Sequence, residues 1–139
     1  MSAEILQKIK ESDLKLLVAD DEPVIQQSLK KVGELLGLEV VTVGDGQEAW
    51  DSFGTEMPDL VITDIYMPKM NGLTLLNKIK EGRPDCPVIL ITGYTHYQQL
   101  TRNDNGLKFN PDGFMTKPFE LKKVVQEIVK LISTYGLVI

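Results

Sequence analysis

Four short apolar runs, over residues 16–19, 60–63, 88–91 and 114–116, each stop against a polar or charged residue: Asp20 with Asp21, Asp64, Thr92 and Lys117. Continuous apolar runs of this length suit strands of a parallel sheet that is covered on both faces. Between them the apolar spacing becomes helical. Ile25, Leu29, Val32 and Leu36 form one stripe, opened by Pro23 and closed by Gly37; Leu121, Val124, Val125, Ile128 and Leu131 form another. The pattern predicts strands over 14–19, 39–43, 59–63, 87–91 and 113–116, and helices from residue 23, over 47–53 and 73–80, and from residue 119. Strands alternating with helices imply βαβ units and right-handed crossovers, hence an α/β fold with a five-stranded, doubly wound parallel sheet.

In such a sheet, ligands bind in the crevice at the carboxyl ends of the strands. Asp20, Asp21, Asp64, Thr92 and Lys117 all fall at strand ends, so residues nearly a hundred positions apart should converge there. Three carboxylates, a hydroxyl and an ammonium suit a divalent metal and a phosphoryl group. Adjacent carboxylates repel and raise one another's pKa unless a cation offsets them. Mg²⁺ prefers oxygen ligands and keeps several waters, which matches this set. Each piece also has a plain explanation. Asp20-Asp21-Glu22-Pro23 is a good helix start with favourable dipole charges, Thr92 a strand-end hydroxyl bonded to backbone, and Lys117 a solvated charge.

The bulk composition removes several classes. At 139 residues the chain is of one-domain size and could bury about two-thirds of its unfolded surface. A net charge of -5, with no Lys/Arg-rich run, argues against direct binding to nucleic acid or anionic lipid. No apolar stretch approaches the roughly 18 residues of a membrane span, and residues 1–10 lack the apolar centre of a signal peptide. The lone Cys86 excludes an intramolecular disulfide and reads as a small buried hydrophobe at a strand start. A cytoplasmic location is the expectation.

The ordered set Asp20-Asp21, Asp64 with Met67-Pro68 and Gly72, Thr92, and Lys117-Pro118-Phe119 resembles the receiver domain of bacterial two-component response regulators. The resemblance covers residues 14–133; residues 1–13 form an extension, read as a helix on the stripe Ile5, Leu6 and Ile9, and 134–139 a short tail. Whether that helix frays, docks or dimerises is open. The resemblance implies a flavodoxin-like sheet in strand order 2-1-3-4-5, with Asp64 as the phosphoacceptor. Mg²⁺, or Mn²⁺ in its place, would be bound by Asp21, Asp64 and the Tyr66 backbone carbonyl, with Asp20 helping through water. Thr92 and Lys117 would stabilise the phosphoryl group, where positioning and electrostatics supply most of the catalysis. A cis peptide before Pro118 would aim the ammonium inward. Phe114 falls where the family has its aromatic switch, although a plain core role explains it equally well. Gly93 matches a position that must stay small.

The implied partners are a sensor histidine kinase or a histidine phosphotransfer protein, with a homodimer left open. The chain would be a signalling phosphoacceptor rather than an enzyme. Departures from the family pattern carry further expectations. Tyr66 and Tyr94 occupy positions that tune autodephosphorylation, and their bulk points to a long-lived phosphoryl group. Residues 95–112 are rich in turn signals, Asn103-Asp104-Asn105-Gly106 and Asn110-Pro111-Asp112-Gly113, so an irregular fourth-helix region is expected. Residues 135–139 are too few for an output domain, which suggests a stand-alone receiver or a piece of a longer chain.

Three rivals remain. Gly44-Asp45-Gly46-Gln47-Glu48-Ala49 matches a dinucleotide fingerprint, but follows the second strand in a chain too short for two mononucleotide halves. A haloacid-dehalogenase-type phosphatase needs a second Asp two positions after its nucleophile as acid/base; Tyr66 stands there after Asp64, and Glu22 after Asp20. The third is a receiver-like docking module that is never phosphorylated.

Overall fold

The structure is a computed structural model that describes residues 2–93 and 108–138. Its elements run α1 (Ala3–Glu11), β1 (Lys15–Ala19), α2 (Pro23–Leu35), β2 (Glu39–Val43), α3 (Gly46–Glu56), β3 (Leu60–Asp64), α4 (Gly72–Gly82), β4 (Val88–Gly93), β5 (Gly113–Lys117) and α5 (Leu121–Thr134). The five strands are parallel, in the order β2-β1-β3-β4-β5. This is the doubly wound arrangement expected from the alternation of the sequence. The expected irregular fourth-helix region lies mostly outside the described residues.

Alternate residues of the central strands feed opposite hydrophobic layers. Leu16, Val18, Leu60, Ile62, Ile89 and Ile91 face the layer that contains Leu29, Val32, Val124 and Ile128 of α2 and α5. Leu17, Ala19, Val61, Val88 and Leu90 face the other layer, with Ala49 and Phe53 of α3 and Leu75, Leu76 and Ile79 of α4. Successive side chains of a strand point to opposite faces. A strand that is covered on both sides must therefore be apolar at every position, as these runs are.

Local chemistry sets the helix ends. Asp45 and Asn71 cap α3 and α4 by accepting the backbone N–H groups of Glu48 and Thr74 at 2.8 and 2.9 Å. Pro23 opens α2, where its missing N–H costs nothing. Gly37 ends the same helix at φ 92°, a left-handed conformation in which a β-carbon would also lie 2.7 Å from Lys10 Cα. The backbone of α1 therefore passes directly over this turn.

That close approach belongs to a larger contact. Ser2 caps α1 by accepting from the Ile5 N–H, and Ile9 is wholly buried in the α2–α5 layer, with Ile5 and Leu6 packed beside it. The apolar stripe is used within the chain. Ile9→Ala is expected to lower the unfolding free energy by about 2–4 kcal/mol, as the loss of a buried branched side chain does. Urea unfolding checks this; a change under about 0.5 kcal/mol would mean that α1 is dispensable to the fold.

Candidate functional site

The strands deliver their last residues to one edge. Asp20 follows β1, Asp64 ends β3, and the pairs Thr92↔Thr116 and Gly93↔Lys117 carry the β4–β5 ladder to the same level. Both of these strands run one or two residues past the sequence expectation. Parallel pairing continues for as long as a neighbour offers backbone partners, whereas the apolar pattern ends where the crevice begins.

Lys117 is the hub of the site. Its ammonium lies 3.1 Å from Asp64 Oδ2, 3.0 Å from Asp20 Oδ2 and 3.1 Å from Glu22 Oε1. It donates hydrogen bonds to Asp64 and Glu22. The contact with Asp20 is an ion pair that lacks hydrogen-bond geometry, so Asp20 Oδ2 stays buried without a hydrogen bond. The other Asp20 oxygen accepts the Glu22 N–H at 2.9 Å, and Asp64 Oδ1 accepts the Ile65 N–H at 2.8 Å. Burial pushes the Asp20 carboxyl above its ordinary range, against the opposing pull of the Glu22 N–H and of Lys117. Burial alone would lower the Lys117 ammonium, yet the combined pull of Asp20, Glu22 and Asp64 holds it above its usual value.

Asp20, Asp21 and Asp64 each offer a carboxylate oxygen, and these oxygens lie within 4.8 Å of one another. The donor set is all hard oxygen, and the buried Asp20 Oδ2 lacks a hydrogen bond. Both properties fit a small divalent cation such as Mg²⁺. Asp21 is exposed while Asp20 and Asp64 are buried, which leaves one side of the cluster open to water.

The turn after Asp64 is held from two sides. A β-carbon on Gly72 would lie 2.1 Å from the Asp64 carbonyl oxygen, so only glycine lets α4 start this close to the strand end. The Gly72 N–H donates to the Ile65 carbonyl at 2.7 Å. Gly46, at the start of α3, donates its N–H to the Pro68 carbonyl at 3.3 Å. Gln26 of α2 donates to the Asp20 carbonyl at 2.6 Å and fixes the first carboxylate loop.

The remaining residues expected at the site fall around it. Thr92 is fully buried at the end of β4, its hydroxyl turned to the Gly93 carbonyl at 3.3 Å. Gly93 is half-buried beside it. Tyr66 is 45% exposed, two positions past Asp64. Phe114 is partly buried and packs on the α3–α4 layer. The Lys117–Pro118 peptide is cis. Tyr94 lies outside the described residues.

Sequence reasoning did not place Glu22 on Lys117. It stands in the Asp-Asp-Glu-Pro run, where its charge already had an explanation at a helix start. Nothing local indicates a partner 95 residues away.

Comparison with known proteins decides the family. The model of the response regulator receiver domain matches residues 16–129. The chain belongs to the response regulator receiver domain family. Receiver domains are the phosphoacceptor modules of two-component signalling; histidine kinases phosphorylate them, and they bind Mg²⁺ at an acidic aspartate cluster. This receiver domain is 32% identical over 121 residues to the probable transcriptional regulatory protein TcrX of Mycobacterium tuberculosis, covering 87% of this chain and 50% of that protein. It spans about half the length of the curated relatives it matches. Among solved structures it resembles a receiver domain protein from Clostridium thermocellum, at 30% identity and TM-score 0.77, over 89% of this chain and 98% of that one. It also resembles TrrA from Thermotoga maritima, solved in complex with Mg²⁺-BeF, at 33% identity and TM-score 0.74, over 85% and 98% of the two chains. Among the described residues no helix is long and apolar enough to cross a membrane.

Proposed function

We propose that Asp64 is the phosphoacceptor of this receiver domain and that a phosphohistidine on a sensor kinase or phosphotransfer protein is the donor. The observation that carries this reading is the setting of Asp64. It ends the central strand β3 with one oxygen held by a backbone N–H and the other by the Lys117 ammonium, beside two further carboxylates. In the reaction an Asp64 oxygen forms a bond to phosphorus as the P–N bond of the donor breaks. The imidazole leaves with the electron pair and takes up a proton, and an acyl phosphate remains on Asp64.

Asp21, Asp64 and the Tyr66 carbonyl would hold Mg²⁺ (Mn²⁺ is an alternative), with Asp20 acting through water. The bound cation would supply positive charge against the oxygens of the transferring group. Lys117 balances charge at the phosphoryl oxygens, and Thr92 turns its hydroxyl from the Gly93 carbonyl towards them. Gly93 leaves them room. That TrrA, 33% identical to this chain, was solved in complex with Mg²⁺-BeF supports the reading of a metal-dependent phosphoacceptor. We further assign residues 14–133 to the receiver unit, with 1–13 as an extension and 134–139 as a tail. The chain works in the cytoplasm without touching nucleic acid itself, in keeping with its net charge of -5. Phe114 and a homodimer stand as the candidates for the switched output, through a surface with two pre-existing arrangements.

Intact mass after incubation with acetyl phosphate tests the chemistry. The expected gain is one phosphoryl group that requires both Mg²⁺ and Asp64. A gain that persists in Asp64→Asn would contradict the assignment. Tyr66 is bulky, 45% exposed and two positions past Asp64, so it is expected to hinder an in-line water and make autodephosphorylation slow. Tyr66→Ala should shorten the phosphoryl half-life by several-fold, followed as mass lost after the donor is removed. An unchanged half-life in that variant would remove Tyr66 from the account.

A further inference from the structure

We propose that Glu22 is a positioning residue: it ties up one N–H of the Lys117 ammonium before phosphorylation and so slows capture of the phosphoryl group. The inference rests on the reading of Asp64 as acceptor. A lysine ammonium has three donors, and here three carboxylates surround it, with Asp20, Asp64 and Glu22 oxygens at 3.0, 3.1 and 3.1 Å. Two of the donors are committed to Asp64 and Glu22, and the third faces Asp20 without hydrogen-bond geometry, so a phosphoryl oxygen arriving from the solvent side competes with Glu22 for Lys117. Asp20 and Asp64 are buried side chains fixed at the ends of strands, whereas the Glu22 side chain is 58% exposed. It lies on the solvent side, from which a phosphoryl group arrives.

The backbone of Glu22 explains why its side chain is available. Glu22 occupies the N-cap position of α2 in an extended conformation, but its carboxylate makes no capping bond, and Pro23 opens the helix behind it. Its own N–H is committed to Asp20 Oδ1. The carboxylate is therefore free to reach across to β5 and hold Lys117. Once Lys117 has moved to a phosphoryl oxygen, that hold is already broken. Glu22 then has no further part in loss of the phosphoryl group.

This asymmetry makes the proposal testable. Phosphorylation by acetyl phosphate at saturating Mg²⁺ and autodephosphorylation are followed by intact mass in wild type, Glu22→Gln and Glu22→Ala. Melting temperatures confirm that each variant is folded; with no cap bond to lose, both should be. The maximal phosphorylation rate should rise roughly two- to fivefold, the range an exposed ion pair carries. The donor concentration at half-saturation and the dephosphorylation rate should stay within twofold.

An unchanged maximal rate would overturn the proposal. So would a change confined to half-saturation by donor, which would mark a general field effect on an anionic donor. Parallel changes in both rates would indicate disruption of the site and would also overturn it. If wild type loads at Asp64 and the variants match it, only the role of Glu22 falls. If wild type takes no phosphoryl group at all, the Asp64 reading falls with it.

Discussion

Replacing Asp112 by alanine is expected to lower the unfolding free energy by about 3–5 kcal/mol, the range for stranding one partner of a buried ion pair. Lys80 is only 6% exposed, and its ammonium lies 2.8 Å from Asp112 Oδ2 and 2.8 Å from the Cys86 carbonyl. The same Asp112 oxygen accepts the Val88 N–H at 2.8 Å, at the start of β4, and the other accepts the Tyr135 hydroxyl. One carboxylate thus joins α4, β4, the approach to β5 and the end of α5, at the far edge of the sheet from Asp64. Without it, a buried ammonium loses its counter-charge, keeping only neutral acceptors such as the Cys86 carbonyl, and a buried strand N–H loses its acceptor. Lys80→Met in the Asp112→Ala background should recover part of the loss, because it removes the stranded charge. A loss under about 1 kcal/mol in the single variant, read from urea unfolding, would mean that water reaches and screens the pair.

The network also has a signature at high pH. Burial and then Asp112 push the Tyr135 hydroxyl up to about 12. The unfolded tyrosine ionises near ~10 and the folded one only near 12. The contribution is therefore complete below the unfolded value and is lost as pH rises through this window. Tyr135→Phe should flatten that part of the stability profile relative to wild type. Equal slopes would show that the hydroxyl ionises alike in the two states.

The second large effect belongs to the site. Lys117→Ala is expected to slow phosphoryl uptake from acetyl phosphate by about 10²- to 10³-fold, the usual cost of removing one preorganised donor aimed at developing charge. It should also make the metal-free protein less stable, since Asp20 and Asp64 are buried with Lys117 as their shared counter-charge. Added Mg²⁺ should then raise the melting temperature more in the variant than in wild type, because a divalent ion can supply the missing positive charge. A variant that loads at the wild-type rate would remove Lys117 from the chemistry.

Much of this architecture was legible because burial on both faces leaves a direct trace. A strand such as β3, buried along its whole length, has to read Leu60-Val61-Ile62 before it can end on a chemical group. Strand ends in a parallel sheet share one edge, so the sequence alone assigns Asp20, Asp64, Thr92 and Lys117 to one crevice. Other features left no such trace. Lys80 stands in α4 among residues of ordinary helical character. Whether a helical lysine faces water or a carboxylate 32 positions later depends on tertiary packing alone. Ile5, Leu6 and Ile9 announced a helix but not its seat, because an apolar stripe does not specify which surface covers it. Glu22 had a sufficient explanation as a favourable charge at a helix start, and its reach to Lys117 exists only once β1 and β5 stand on the same side of the fold.

The most direct test of the central claim is to locate the phosphoryl group. The receiver domain is loaded with acetyl phosphate and Mg²⁺ and then reduced with borohydride, which converts an aspartyl phosphate to homoserine. The peptides that carry positions 20, 21 and 64 are sequenced by tandem mass spectrometry. Homoserine at position 64, absent without Mg²⁺ and absent without the donor, is the predicted result. Homoserine at position 20 or 21 with Asp64 intact would contradict the account and move the phosphoacceptor to the first strand.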